Sequence, residues 1–153
     1  MTKGELAKQN FLSGLNCCQA VVLAFKNELG IPEQTLKKLS IGFGGGFARQ
    51  RLTCGAVSGM GIVLSTLLSD GDNKGVIYAI IQEACFRFKK ETGSIICGEL
   101  LTGEMAKNTS PNPEERTAQY YKKRPCADLC LLAVNIAEEI LKENGYYESC
   151  DNS

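Results

Sequence analysis

Eight cysteines are the residues of this 153-residue chain best suited to carry out chemistry. The sequence contains no histidine, so imidazole is not available as a general base, a proton shuttle or a metal ligand. A Ser-His-Asp or Cys-His mechanism within this chain alone is therefore excluded. We expect any chemistry of the chain to run through sulfur, as a thiolate nucleophile, a disulfide or a soft metal ligand.

Four of the cysteines lie where the sequence predicts the first turn of a helix. Each follows, within three residues, a residue that commonly caps or opens a helix, and the four are Cys17, Cys54, Cys97 and Cys126. The free N–H groups and the dipole of a helix N-terminus stabilise an anion, so we expect thiol pKa values below the usual value of about 8.5. The alternative is that cysteine, a small residue, simply fits at a crowded helix start.

Cations precede two of these cysteines. Arg49 and Arg51 lie just upstream of Cys54, and Lys123 lies just upstream of Cys126. Because a nearby positive charge favours a thiolate, these three side chains are candidate stabilising groups.

A cluster of glycines, which includes Gly44, Gly45 and Gly46, precedes the predicted helix at Cys54. Glycine amides can cradle an anion, which makes these three residues a candidate anion site. The segment lacks the GxxxxGK[ST] pattern, so a nucleotide-binding P-loop is excluded. We expect instead that the glycines let two helices cross closely.

The remaining four cysteines have different expected roles. Cys130 comes four residues after Cys126 on the same helix face, which suits a resolving thiol, a second soft ligand or simple core packing. Cys85 is expected in the core, Cys18 should face away from its neighbour Cys17, and Cys150 lies in a polar tail.

Apolar periodicity predicts an all-α fold, a compact single-domain multi-helix bundle over residues 1–153 with a glycine-rich connection before a central buried helix. No segment shows a convincing alternation of period two. The predicted helices cover residues 5–12, 17–29, 32–41, 54–68, 75–90, a short turn around 97–101, and 125–144, with a loop over 107–115.

Composition limits the functional classes. Hydrophobic residues make up 44% and charged residues 22% of the chain, which is typical of a globular protein. Seventeen basic and seventeen acidic residues give no net charge, which argues against nucleic-acid binding. The N-terminal residues contain no apolar stretch typical of a signal peptide, so we expect a cytoplasmic location. Residues 52–69 carry no charge but contain three glycines and five hydroxyl side chains, which favours a buried helix over a membrane span.

Five motifs in series resemble the redox-active protein family named C_GCAxxG_C_C. They are NCCQAV at 16–21, GFGGG at 42–46, CGAVSG at 54–59, CGELL at 97–101 and RPC at 124–126. The resemblance implies a small helical protein with a thiol redox role. It places the family's four characteristic cysteines on Cys17, Cys54, Cys97 and Cys126.

Three functions remain open from the sequence. The first is reversible dithiol/disulfide exchange or electron transfer, without a cofactor, with a redox partner protein or a small thiol or disulfide as the partner. The second is a Zn or Fe–S site held by Cys17, Cys54, Cys97 and Cys126, although no CxxC spacing is present. The third is a non-catalytic helical interaction or ligand-binding protein. We expect no membrane partner, and a homo-oligomer is compatible with each function.

Overall fold

A computed structural model describes the backbone of residues 1–151 and the side chains through Glu148. The fold is all-α, as predicted, and the described residues form no strand. The α-helices are α1 (Lys3–Leu12), α2 (Cys17–Ala24), α3 (Lys26–Leu29), α4 (Glu33–Ser40), α5 (Gly55–Leu68), α6 (Lys74–Thr92), α7 (Cys97–Leu100), α8 (Ala118–Lys123), α9 (Cys126–Glu143) and α10 (Tyr146–Asp151), with short 3₁₀ turns at Ile41–Phe43 and Gly103–Ala106.

The core lies between α1, α2, α5 and α9, and α6 packs on its outer side. Helix α9 is long and amphipathic, and its apolar stripe includes Ala133, Ala137 and Leu141, each of which is fully buried. Helix α2 is buried along its whole length because α1, α4, α5 and α9 surround it. A second, smaller cluster under α4 contains Cys18, Val22, Leu23 and Leu36.

Helix α5 is the predicted central buried helix, and two of its glycines set its distance from α2. A Cβ at Gly59 would lie 2.8 Å from Cβ of Val21, and a Cβ at Gly55 would overlap Sγ of Cys17. Side chains at either position would force the helices apart. The two glycines therefore serve close helix packing.

The predicted helix over 17–29 is wrong in one respect, because α2 ends at Ala24 and α3 begins at Lys26. Phe25 between them leaves the helical region, with φ −105° and ψ 19°, and its ring is fully buried. Burial of this ring accompanies the change of direction. Helices α8 and α10, which are not among the predicted helices, are each only six residues long.

Residues 45–49 form a continuous left-handed coil. Glycine accounts for the first two positions, but Phe47, Ala48 and Arg49 also have φ between 53° and 65°. An L-residue in this conformation costs roughly 1–2 kcal/mol, so the coil needs compensating interactions. Backbone hydrogen bonds supply several of these interactions. For example, the amide of Ala48 donates to the carbonyl of Gly42 at 2.8 Å.

None of the helices in the described part of the chain is both long and apolar enough to cross a membrane. The uncharged run at 52–69 instead supplies α5, which is 14 residues long and packs inside the bundle.

Candidate thiol site

Four cysteines from four separate parts of the chain line one cavity of about 400 Å³. They are Cys17, Cys54, Cys97 and Cys126. These are the four residues that the sequence placed at helix N-termini, and the structure brings them together although 36, 42 and 28 residues separate them in the chain.

Each of the four begins or caps a helix, as predicted. Cys17 is the first residue of α2, whose capping box pairs Asn16 with Gln19. Cys54 is the N-cap of α5. Cys97 and Cys126 are the first residues of α7 and α9. All four helices therefore start at the wall of the same cavity.

A short antiparallel backbone contact holds two of these starts side by side. Thr53 and Ile96 form an isolated β-bridge. The amide of Cys54 donates to the carbonyl of Ile95 at 2.8 Å, and the amide of Cys97 donates to the carbonyl of Leu52 at 2.6 Å. This contact fixes the start of α5 next to the start of α7.

The glycine-rich connection packs directly against the thiols. Gly44 and Gly45 line the cavity, and the backbone amide of Gly45 opposes the increase that burial causes in the pKa of Cys17. Gly46 lies behind the cavity wall, where a Cβ would come within 2.5 Å of Cβ of Cys97. Of the three candidate anion-site glycines, two therefore face the cavity and the third allows close packing.

The predicted decrease of thiol pKa at these helix starts is wrong for three of the cysteines. Burial raises the pKa of Cys17, raises that of Cys54 well above its usual value, and raises that of Cys126 to about 12. The amides of Ala56 and Val57, at the start of α5, only partly oppose the effect at Cys54. The free-energy cost of removing a thiolate from water is larger than the stabilisation that the helix N-terminus provides.

The sulfurs also act on one another. The charge of a Cys17 thiolate would raise the pKa of Cys54, Cys126 and Cys130, and that of Cys97 would raise the pKa of Cys17 and Cys126. Cys17 therefore interacts electrostatically with each of the other three cysteines that line the cavity.

Arginine side chains supply the positive charge of the cavity. Arg51 is buried, and its Nη1 donates to Sγ of Cys97 at 3.7 Å. Arg49 also lines the cavity, and its Nη2 lies 3.7 Å from Oε1 of Glu114. Lys123, the third predicted cation, is exposed and does not line the cavity. Its neighbour Arg124 does so instead, and donates to Glu114 at 2.6 Å.

A fourth guanidinium is fixed by backbone and aromatic contacts. Arg116 donates to the carbonyls of Phe11 and Leu15 at 3.2 Å each. Its guanidinium carbon lies 4.6 Å from the centroid of the Phe11 ring and 4.7 Å from that of Tyr120, a cation–π geometry.

The loop predicted over 107–115 forms one wall of the cavity. Pro111, Pro113 and Glu114 line it from this loop. Arg49 donates to the carbonyl of Ser110 at 2.6 Å, and Arg51 donates to that of Asn108 at 3.0 Å. The two arginines that follow the glycine cluster thus attach the loop to the rest of the molecule.

The other cysteines with described side chains lie outside the cavity lining. Cys130 is fully buried one turn below Cys126, and its thiol lies 3.7 Å from the carbonyl oxygen of Cys17. Cys18 is fully buried and faces the second cluster, away from Cys17 as predicted. Cys85 is half-buried against the core. The side chain of Cys150 lies outside the described residues.

No group of three or more cysteine, aspartate or glutamate side chains in the described part of the chain has an arrangement that could hold a metal ion. All seven cysteines with described side chains are free thiols in the structure. The arrangement gives an enclosed space bounded by thiols and guanidinium groups, in which a sulfur-containing ligand could meet several thiols at once.

Sequence reasoning missed Glu114, Arg116 and Arg124 as members of the site. Arg124 belongs to the RPC motif and directly precedes Pro125 and Cys126, so its position in the chain was the available signal. Nothing local marks Arg116, which reaches the site only because the loop folds back over α1.

Comparisons with known proteins identify a family. No curated protein and no solved structure is significantly similar to the chain. A family profile, described as "Putative redox-active protein (C_GCAxxG_C_C)", matches residues 15–140, more than four-fifths of the chain. The matched range contains the four cavity cysteines and the four arginines that line the cavity, Arg49, Arg51, Arg116 and Arg124. The chain belongs to this C_GCAxxG_C_C family.

Proposed function

We propose that the protein carries out reversible dithiol/disulfide exchange with the cysteines that line the cavity. The observation that carries this proposal is the convergence of Cys17, Cys54, Cys97 and Cys126 on one space from four distant parts of the chain. Family membership supports a redox role, and free thiols are the reduced form of such a site.

In the proposed reaction, a thiolate of the protein attacks one sulfur of a disulfide, RSSR. A bond forms between the protein sulfur and that sulfur, and one RS⁻ leaves. A second protein thiolate then attacks the mixed disulfide, so that a protein disulfide forms and the second RS⁻ leaves. The two protein thiols lose two electrons and two protons, and RSSR becomes two RSH.

We assign the first attack to Cys97 and the second to Cys17. The guanidinium of Arg51 hydrogen-bonds Sγ of Cys97 and provides a fixed positive partner for a sulfur that becomes negative. Cys17 suits the second attack because it interacts electrostatically with the other cavity cysteines. Burial raises the pKa of Cys17, so its proton must pass to a base before the second attack, and the RS⁻ released in the first step is such a base.

The test is to expose the reduced protein to buffers of defined disulfide potential, alkylate the remaining thiols, and map them by mass spectrometry. We expect a disulfide that joins two of the four cavity cysteines, with Cys97 in the mixed disulfide when Cys17 is replaced by alanine. Cys85 is the internal control, because it is half-buried and lies outside the cavity lining. If the cavity thiols stay free at potentials that oxidise Cys85, the proposed function is wrong.

A further inference from the structure

Buried arginine donors lie in the cavity wall without a hydrogen-bond partner among the described residues. They are Nη2 of Arg51, Nε of Arg124 and Nη2 of Arg49. Arg51 is 6% exposed and Arg124 8% exposed, so water has little access to either side chain. A buried guanidinium nitrogen that donates to nothing carries a desolvation cost, and such groups in proteins normally have a partner.

The charges of the cavity do not balance within the described part of the chain. Four guanidinium groups line the cavity, and the only carboxylate among its described lining residues is Glu114. Arg49 and Arg124 share that carboxylate, at 3.7 and 2.6 Å from Oε1. Arg51 and Arg116 line the cavity, and neither forms an ion pair with a carboxylate of the described residues.

Three of the four cavity thiols do not supply the missing negative charge at neutral pH. Burial raises the pKa of Cys17, Cys54 and Cys126, so these three sulfurs remain protonated. An excess of about three positive charges at the wall of a partly enclosed space is costly unless an anion compensates it.

The remaining walls are apolar. Phe11, Ile41, Leu100 and Leu129 line the cavity together with two prolines. The volume of about 400 Å³ falls within the range of roughly 300–1,000 Å³ that small-molecule sites occupy. A ligand that fits these surfaces combines a compact apolar body with a negatively charged oxygen group.

We propose that the cavity binds a small organic anion, whose carboxylate or phosphate oxygens accept the unpartnered N–H groups of Arg51 and Arg124. The oxidant that meets the thiols is then a low-molecular-weight disulfide that carries carboxylates, a substrate class that rests on the proposed function. Guanidinium groups suit this role because their planar N–H donors match carboxylate and phosphate geometry.

The first experiment measures binding without redox chemistry. Suberate, an eight-carbon dicarboxylate, has the length of 3,3′-dithiodipropionate but methylenes in place of sulfurs, so it cannot react with thiols. We expect saturable calorimetric binding of suberate to the reduced protein in low-salt buffer, and no binding of 1,6-diaminohexane. Arg124→Gln should weaken suberate binding about tenfold or more, the effect of one charged hydrogen bond. Lys123→Gln, one residue away but exposed, should leave it unchanged. Absence of suberate binding to the wild-type protein overturns the inference.

The second experiment uses three disulfides with the same body and different charge: 3,3′-dithiodipropionate, bis(2-hydroxyethyl) disulfide and cystamine. We expect the anionic disulfide to oxidise the wild-type cavity thiols about tenfold or more faster than the neutral one, with the cationic one slowest. Suberate should inhibit the first reaction competitively.

The outcomes separate the two proposals. Oxidation by all three disulfides at similar rates overturns the anionic substrate class and keeps the redox function. Binding of suberate without oxidation by any disulfide overturns the redox function and the substrate class, and keeps the anion site. Both results come from the wild-type protein, so they do not depend on whether an arginine variant folds.

Discussion

The contact between Gly55 and Cys17 gives the sharpest test of how the site is packed. Gly55 begins α5, and a Cβ at this position would overlap Sγ of Cys17. It would also lie 2.9 Å from the carbonyl oxygen of Phe43 and 3.2 Å from the amide nitrogen of Cys18. Two of the three obstructing atoms belong to the backbone, so rotation of one side chain cannot relieve the contact.

The expected size of the effect follows from two opposing contributions. Overpacking of a well-packed core costs about 1–3 kcal/mol. Replacing glycine by alanine inside a helix gains at most about 1 kcal/mol, and less at the first residue. We therefore expect Gly55→Ala to lower the free energy of unfolding by about 1–2 kcal/mol.

Gly61 in the same helix is the matched control. The nearest atom to a Cβ there is Cδ1 of Ile81 at 4.0 Å, an ordinary van der Waals distance. Gly61→Ala should therefore raise the free energy of unfolding by up to about 1 kcal/mol. The two variants carry the same substitution in one helix, so they should shift stability in opposite directions.

Urea unfolding with reductant present measures both variants on the same scale. For a chain of this length, 1 kcal/mol corresponds to a change in Tm of about 2–4 °C, which a thermal scan resolves. The rate of Cys17 alkylation in the folded state is a second readout, because the new methyl group must displace its sulfur. If Gly55→Ala is as stable as Gly61→Ala, the close contact between α2 and α5 is wrong.

Two further predictions concern protonation and capping. Because the folded-state pKa of Cys126 is raised to about 12, the unfolded chain loses this proton first as pH increases. The contribution of Cys126 to the free energy of unfolding should hence be constant below about pH 8 and be lost between about pH 9 and 12, so Cys126→Ala should show a smaller fall over that range. Denaturant titrations across this range check the sign, and stability that rises with pH would contradict it. Asn16→Ala should cost about 1–2 kcal/mol in urea unfolding. It should cost more than Thr2→Ala, since Asn16 caps α2 and also donates to the carbonyl of Ile41 at 2.9 Å, whereas Thr2 caps α1 alone. Equal losses would mean that the bond to Ile41 contributes nothing.

The helix starts at the cysteines were predictable from the sequence because their signals are local. These signals lie at or within the helices that they indicate, so they can be identified directly from the sequence. Asn16 precedes α2, Pro125 precedes α9, and the glycines of α5 lie in that helix itself. The all-α fold was predictable for the same reason, since apolar residues recur at helical spacing throughout the chain. The break at Phe25 was not, because the surrounding core decides whether this ring ends the helix.

The direction of the thiol pKa shifts was not predictable from capping signals alone. A helix N-terminus lowers a thiol pKa in water, but the enclosure of Cys54 depends on chain segments far away in the sequence. The left-handed coil was equally hidden, because Phe47 and Ala48 carry no sequence preference for a positive φ. Arg116 and Glu114 join the site only through the fold of the loop.

Placing each cavity cysteine on its own helix ties oxidation to the folding of the whole chain. Any disulfide among the four would close a ring of about 30 or more residues, and it would remove conformations from the unfolded chain but few from the folded one. On the chain-entropy estimate such a ring is worth about 4 kcal/mol. An oxidised molecule would thus tolerate heat and denaturant that unfold the reduced one, so the same bond that can accept two electrons would also raise the resistance of the fold to unfolding.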